Sequence, residues 1–347
     1  MRVAFLGTPE VAARTLRALH GAGHDVRVVV TRRDARRGRG SDLLPSPVKA
    51  VAEELGLPVA HTPDAVIGSG AELAVVVAYG RIIKANVLAE LPMVNVHFSL
   101  LPRWRGAAPV ERAVLAGDTE TGVCLMKLDE GLDTGPVFAR RAVEIGPEET
   151  AGELRSRLAE LGTEMLLEAL AEGLPEPVPQ AGEATYAAKL DPAELHLDFS
   201  LPAEVCLRVV RVGRAWTTWR GRRLIVHRAR LVRAGRAGGD LVPAGGDLVP
   251  AGGDLVPAGG DLVPGGGDLV PAGGDLVPAG GTVGAGENLP AERVPGELAP
   301  GELAGDFVGT GDGVLQLLAV QPEGKASMPA GEWLRGARAK PGERLGT

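Results

Sequence analysis

The chain has 347 residues, 45% of them hydrophobic, which is enough for two domains with real cores. Its formal charge of -7 argues against indiscriminate nucleic-acid binding but leaves room for a local basic patch. The two cysteines, Cys124 and Cys206, lie far apart at no metal-ligand spacing and read as buried thiols. Neither a disulfide framework nor a metal site is expected, which suits a cytoplasmic setting. No apolar run of about 18 residues predicts a membrane span, and the N-terminus enters a strand rather than a signal peptide.

In chain order, Val3–Leu6 reads as a buried strand. Glu10–His20 reads as a helix with Ala12, Ala13, Leu16 and Leu19 on one face. Val26–Val30 is a second strand, and Ser46 before Pro47 predicts the start of a helix running to Leu55. Strands follow at Leu73–Val77, Val94–His97 and Val123–Leu128, with helices at Ala108–Leu115 and Glu153–Leu170. Continuous aliphatic strands separated by helices predict a doubly wound, mostly parallel α/β domain over residues 1–185. The Pro-rich stretch Glu172–Gln180 reads as a connector, and a linker is expected over 186–203. A helix at Val205–Val212 and strands at Leu224–Val226 and Gly313–Val320 predict a small β-rich domain over 204–347.

Inside that domain Gly-Gly-Asp-Leu-Val-Pro-(Ala/Gly) recurs every seven residues, with aspartates at Asp240, Asp247, Asp254, Asp261, Asp268 and Asp275. Proline and glycine in every unit exclude a coiled coil. A disordered insertion over 237–305 is expected. A calcium-binding β-roll is the alternative, but its nonapeptide spacing is missing.

The loop Gly7-Thr8-Pro9-Glu10 lacks Gly-x-Gly-x-x-Gly, so a nicotinamide cofactor is not expected. It is either a tight turn or the wall of a ligand cleft. The segment from Asn95 to Pro109 leaves a buried strand at the edge where open α/β sheets place ligands. Asn95 and His97, two apart, point to one side of an extended chain. Their amide and imidazole could hold a developing oxyanion and move a proton, although a lone histidine at a strand end is often structural. In Leu128–Pro136, spacing alone leaves Asp129, Glu130 and Asp133 unranked between turn formation and a cleft carboxylate.

Asn-x-His, then Ser-Leu-Leu-Pro-x-x-x-Gly-x-x-Pro, then Leu-Asp-Thr-Gly resembles the folate-dependent formyltransferases. The string Ser99–Pro109, with Leu44-Pro45-Ser46-Pro47-Val48-Lys49 upstream, is similar to their methionyl-tRNA formyltransferase branch. The resemblance covers most of residues 1–235 and resumes at Gly309–Met328. It implies a Rossmann-like formyltransferase domain followed by an OB-like β-barrel. It implies 10-formyltetrahydrofolate as formyl donor, initiator methionyl-tRNA as acceptor, no metal, no membrane, and a monomer. It implies a catalytic trio of Asn95, His97 and Asp133, with folate contacts at Ser99, Leu100, Leu101 and Pro102. The alternative acceptor is a sugar-nucleotide or glycinamide ribonucleotide amine. Phe98 departs from the family's small residue there, and its ring is expected to reshape the folate side of the cleft.

A polyanionic acceptor calls for basic surface. Residues 1–49 carry ten Arg/Lys against four Asp/Glu, and residues 201–236 carry ten Arg against one Glu, with Trp216 and Trp219 among them. Arg36, Arg37 and Arg39 of the first stretch, with Arg208, Arg211 and Arg220 of the second, are the candidate tRNA contacts. The two tryptophans read more readily as barrel core.

Overall fold

Short aliphatic runs make the centre of the first sheet because its inner strands bury both of their faces. The computed structural model describes residues 1–36, 43–233, 242–243, 298–340 and 342–346. By its contacts the chain separates into a unit of Met1–Val232 with Glu297–Thr347, described below, and a unit of Arg233–Gly296. Apart from Val242–Pro243, the period-seven repeat and its expected insertion lie outside the described residues as far as residue 297. Residues 298–305 do not continue the insertion. They include a strand, Leu303–Ala304, whose Leu303 is buried in the second core.

The first part of the chain forms β1 (Arg2–Gly7), α1 (Glu10–Gly21), β2 (Asp25–Val30), β3 (Ala35–Arg36), β4 (Leu43–Leu44), α2 (Pro47–Glu54), β5 (Val59–Ala60) and β6 (Leu73–Val77). Then come α3 (Ala85–Glu90), β7 (Met93–His97), β8 (Arg105–Gly106), α4 (Pro109–Ala116), β9 (Glu120–Lys127), β10 (Val137–Glu144), α5 (Ala151–Glu172) and β11 (Tyr186–Ala187). The main sheet has seven strands in the order β10-β9-β7-β6-β1-β2-β5. It is parallel from β7 to β5, while β9 runs antiparallel to both β7 and β10. This is the mixed α/β fold with a parallel central sheet that the aliphatic strands predict. The edge strand β10 escapes the sequence reading because Arg140 and Arg141 face solvent and break any apolar run.

One face of the sheet packs on α1, α2, α4 and α5, and the other on α3 and the turn Pro63–Val66. The Ser46 hydroxyl accepts the Lys49 amide proton, capping α2 as expected from Ser-Pro. Thr150 and Glu153 form a capping box that starts α5. Midway along α5, Gly162 lets the helix lie directly on the sheet: a Cβ there would sit 2.5 Å from Val96 Cγ1 and 3.1 Å from Val123 Cγ1.

A second core lies under α6 (Ala203–Val212) and α7 (Ala330–Ala337). Its antiparallel sheet runs β12 (Ala215–Trp219), β13 (Arg222–Arg233), Val314–Pro322, Phe307–Gly309, Leu303–Ala304. β13 is far longer than the Leu224–Val226 expected, because its arginines alternate with the residues that face the core. Helix α6 is fastened to the first layers by Arg211, whose guanidinium donates to Glu149 O (2.9 Å) and Gly146 O (2.8 Å).

Two stability measurements follow from this packing. Gly162→Leu gains about 1 kcal/mol of helix propensity but forces extra methylene groups into the packed α5–β7 contact, a loss of roughly 1–3 kcal/mol or more. Thermal denaturation of the variant is expected to show a lower Tm. Arg211→Ala removes two charge-assisted hydrogen bonds worth about 1.5–3 kcal/mol each at most, and urea unfolding is expected to shift to a lower midpoint. Arg211→Lys, with a single point of donation, is expected to recover less than half of it.

Candidate active site

Strand β7 alternates its side chains. Val94 and Val96 face the α5 side, which leaves Met93, Asn95 and His97 on the other. Across the ladder, Asn95 pairs with Met126 and His97 with Cys124. His97 closes the strand at the carboxyl edge, beside the ends of β6 and β1. Asn95 stays half-buried on the same face.

The His97 ring is only 6% exposed. Its Nε2 lies 3.0 Å from the Trp104 carbonyl oxygen. A carbonyl only accepts, so Nε2 carries the proton and Nδ1 of the neutral ring holds a lone pair. Nδ1 lies 3.7 Å from Asp133 Oδ2, too far for a direct hydrogen bond. Burial lowers the imidazole pKa below its ordinary value, outweighing the opposing pull of the Asp133 carboxylate and the Trp104 carbonyl. Directly across the ladder from His97, the Cys124 thiol is pushed up by burial and stays protonated. The site therefore presents a neutral imidazole lone pair beside a carboxylate.

Geometry ranks the three acidic residues of the loop after β9. Asp129 Oδ1 accepts from the Gly131 amide (3.1 Å) and the Thr134 hydroxyl (2.7 Å), so it builds the turn. Glu130 points to solvent. Asp133, at φ 51°, turns inward and its Oδ2 accepts the Gly106 amide proton at 2.7 Å. Gly135 is obligatory, since a Cβ there would fall 1.9 Å from Lys127 O.

The Ser99–Trp104 segment is a closed turn. Ser99 Oγ donates to Arg103 O (2.6 Å), and the Arg103 amide to Leu100 O (3.0 Å). The Leu101–Pro102 peptide is cis. Trp104, at φ 61°, donates its amide to Thr185 Oγ1 (2.9 Å) and its indole N–H to Asp118 Oδ2 (2.7 Å). Of the four expected folate contacts, Ser99 and Leu101 are fully enclosed by protein, and only Leu100 and Pro102 keep some surface. Phe98 does not reshape the cleft. It alternates to the other face and packs in the core beside Val96 and Val123.

Residues missed in the sequence complete the site from behind. β8 pairs in parallel with β11, and Gly106, at φ 120°, lies so close to Ala187 that a Cβ would meet its carbonyl at 2.9 Å. Gln180, in the stretch that reads as a connector, bridges the loops carrying Asp133 and Arg105. No spacing signal marks it, because its partners are main-chain carbonyls and a guanidinium remote in sequence.

Among the candidate RNA contacts, Arg37 and Arg39 lie outside the described residues, between β3 and β4. The base of that segment is fastened by the Lys49–Asp34 ion pair (2.7 Å) and the buried Thr31–Ser46 hydroxyl contact (2.8 Å), and Arg36 is exposed beside it. Arg208 and Arg211 turn inward instead. Arg208 donates to Ala116 O at 3.4 Å, and Arg211 anchors α6. Arg220 stacks over Trp219 at 3.9 Å and pairs with Glu343 at 2.7 Å. Trp216, half-buried, carries Arg223 over its face at 4.5 Å. A cavity of about 220 Å³ opens here, lined by Trp219, Trp333, Arg222, Arg223 and Lys325.

Comparison with known proteins places these features in a family. Residues 1–170 match the Formyl transferase family and residues 281–338 the Formyl transferase, C-terminal domain, family. The methionyl-tRNA formyltransferase of Methylobacterium nodulans is 39% identical over 365 aligned positions, covering 99% of each chain. That of Dinoroseobacter shibae is 48% identical over 260, covering 70% of this chain and 86% of its own. Among solved structures, the methionyl-tRNA formyltransferase from Clostridium thermocellum shares the fold at TM-score 0.50 and 18% identity, covering 70% of this chain and 97% of that one. HypX from Aquifex aeolicus, in complex with tetrahydrofolic acid, shares it at TM-score 0.58 and 16% identity over 96% of this chain. The match spans 47% of HypX, about half its length. With both domain families matched in order and a relative aligned end to end, the chain belongs to the methionyl-tRNA formyltransferase family.

Proposed function

We propose that this chain transfers the formyl group of 10-formyltetrahydrofolate to the amino group of methionine on initiator methionyl-tRNA, in the cytoplasm where translation begins. The observation that carries the reading is the buried, neutral His97, with its Nδ1 lone pair facing Asp133 Oδ2 at 3.7 Å. Asn95 shares that strand face. The methionine amine attacks the formyl carbon as a free base, and the carbonyl electron pair moves onto oxygen. The new C–N bond leaves the amine with a surplus proton, which His97 Nδ1 accepts. The Asp133 carboxylate then steadies the imidazolium. Asn95 supplies side-chain N–H donors to the oxyanion of the tetrahedral intermediate. Collapse breaks the bond from carbon to the donor nitrogen, which takes the proton back from His97.

In this reading the polyanionic acceptor meets Arg36, Arg37 and Arg39 at the β3–β4 segment and Arg220 beside the Trp219 cavity, where half-buried indoles carry guanidinium groups on their faces. Arg208 and Arg211 serve the fold instead. We read the antiparallel sheet built on β12 and β13 as an OB-like barrel, and one chain as the working unit. Acceptors such as sugar nucleotides would not call for this basic surface, and the relative aligned over 99% of the chain carries the tRNA name.

Formyl transfer is to be assayed with aminoacylated initiator tRNA and the folate donor. Asn95→Ala is expected to lower kcat about 10²–10³-fold, and His97→Ala or Asp133→Ala at least as far. Parental turnover in either of the latter would overturn the assignment. By NMR, the His97 ring of the free protein is expected to titrate below about pH 6.5, the ordinary imidazole value. Asp133→Asn removes a charge that favours imidazolium, so it should move that titration to still lower pH. Replacing Arg36, Arg37 and Arg39 by Ala is expected to raise KM for tRNA and flatten its salt dependence, with KM for the folate unchanged.

A further inference from the structure

We propose that Gln180 is a positioning residue for this reaction, holding Asp133 at its working distance from His97. The proposal rests on the reading above that Asp133 acts on His97. Gln180 Nε2 donates to two carbonyls of the same loop, Asp133 O and Gly135 O, each at 2.8 Å. Its Oε1 accepts from Arg105 Nε at 3.1 Å and from Arg105 Nη2 at 2.7 Å. The residue after Arg105 is Gly106, whose amide holds the Asp133 carboxylate at 2.7 Å. The contacts close a ring. The carboxylate is tied to Gly106, Gly106 follows Arg105, Arg105 is tied to Gln180, and Gln180 is tied back to the Asp133 carbonyl. Both ends of Asp133 are thereby fixed.

The ring is needed because Asp133 sits at φ 51°, a left-handed backbone conformation that a residue with a side chain keeps only where its surroundings impose it. Gln180 is itself set by the chain before it, where Val178 and Val137 exchange both main-chain hydrogen bonds (2.8 and 2.9 Å). A carboxamide is the one neutral side chain that can donate twice and accept at the same point. Glutamate has the same shape but would turn an oxygen toward two carbonyls.

Gln180→Ala and Gln180→Glu test the idea. A displacement of the order of 1 Å at a reacting group costs about 100-fold in rate. Both variants are therefore expected to lose about 10–100-fold in kcat while KM for tRNA and for folate stays within about threefold. The NMR titration of His97 is expected to move down, in the direction given by Asp133→Asn, as the carboxylate drifts away. A purely structural residue would lower Tm and leave both the turnover of the folded fraction and the His97 titration unchanged, and that outcome overturns the proposal. Gln180→Glu keeps the Arg105 contact, so it separates lost donation from lost folding. Asp133→Ala assayed in parallel separates the two claims. If it is active, the reading of Asp133 fails. If it is inactive while both Gln180 variants turn over normally, only the role of Gln180 fails.

Discussion

The hydrogen bond between His97 Nε2 and the Trp104 carbonyl is the constraint on which the site depends. It fixes the tautomer, directs the Nδ1 lone pair at Asp133, and ties the end of β7 to the turn that follows it. That carbonyl is in turn held in place from three directions. Leu101 plugs the turn into the small core with Cys124, Met126 and Val137. Asp118 takes the Trp104 indole proton, and Thr185 takes its amide proton. Few of these groups touch anything reactive, yet each limits where the imidazole can point.

The sheet and the site are coupled through one strand. Val96 packs under Gly162 of α5, while Asn95 and His97, on either side of it, point the opposite way. Because the interior is close-packed, a change of volume on the helix face is transmitted to the polar face rather than absorbed. The same alternation explains why Phe98, bulky and adjacent to His97, packs away from it: the neighbour of an inward polar residue belongs to the other side of the strand.

Most of the first domain is legible in sequence because its strands are unbroken aliphatic runs and its helices carry caps, as at Ser46. Asn95 and His97 are legible as a pair because period two puts them on one face. Spacing alone does not separate Asp133 from Asp129 and Glu130; the family resemblance singles it out, and the turn chemistry of Asp129 gives the physical reason. β10 is hidden by Arg140 and Arg141, which an edge strand tolerates and a periodicity reading does not. The arginines carry the sharpest lesson. Arg208, Arg211 and Arg220 share one local composition and each donates to a main-chain carbonyl; Arg220 differs in being exposed and in lying over the Trp219 ring. Gln180 is invisible for a related reason: its meaning lies in partners more than forty positions away.

The pairing of β8 with β11 bears on how much of the chain the candidate site draws on. The strands of the main sheet and helix α5 are complete by Glu172, yet Thr185, Tyr186 and Ala187 return to close the back wall behind Trp104 and Gly106. A truncation that kept the whole α/β sandwich but stopped short of residue 187 would retain Asn95, His97 and Asp133 while removing the strap that braces them. The bracing of the candidate site therefore reaches residue 187, well past the last helix that packs on the main sheet.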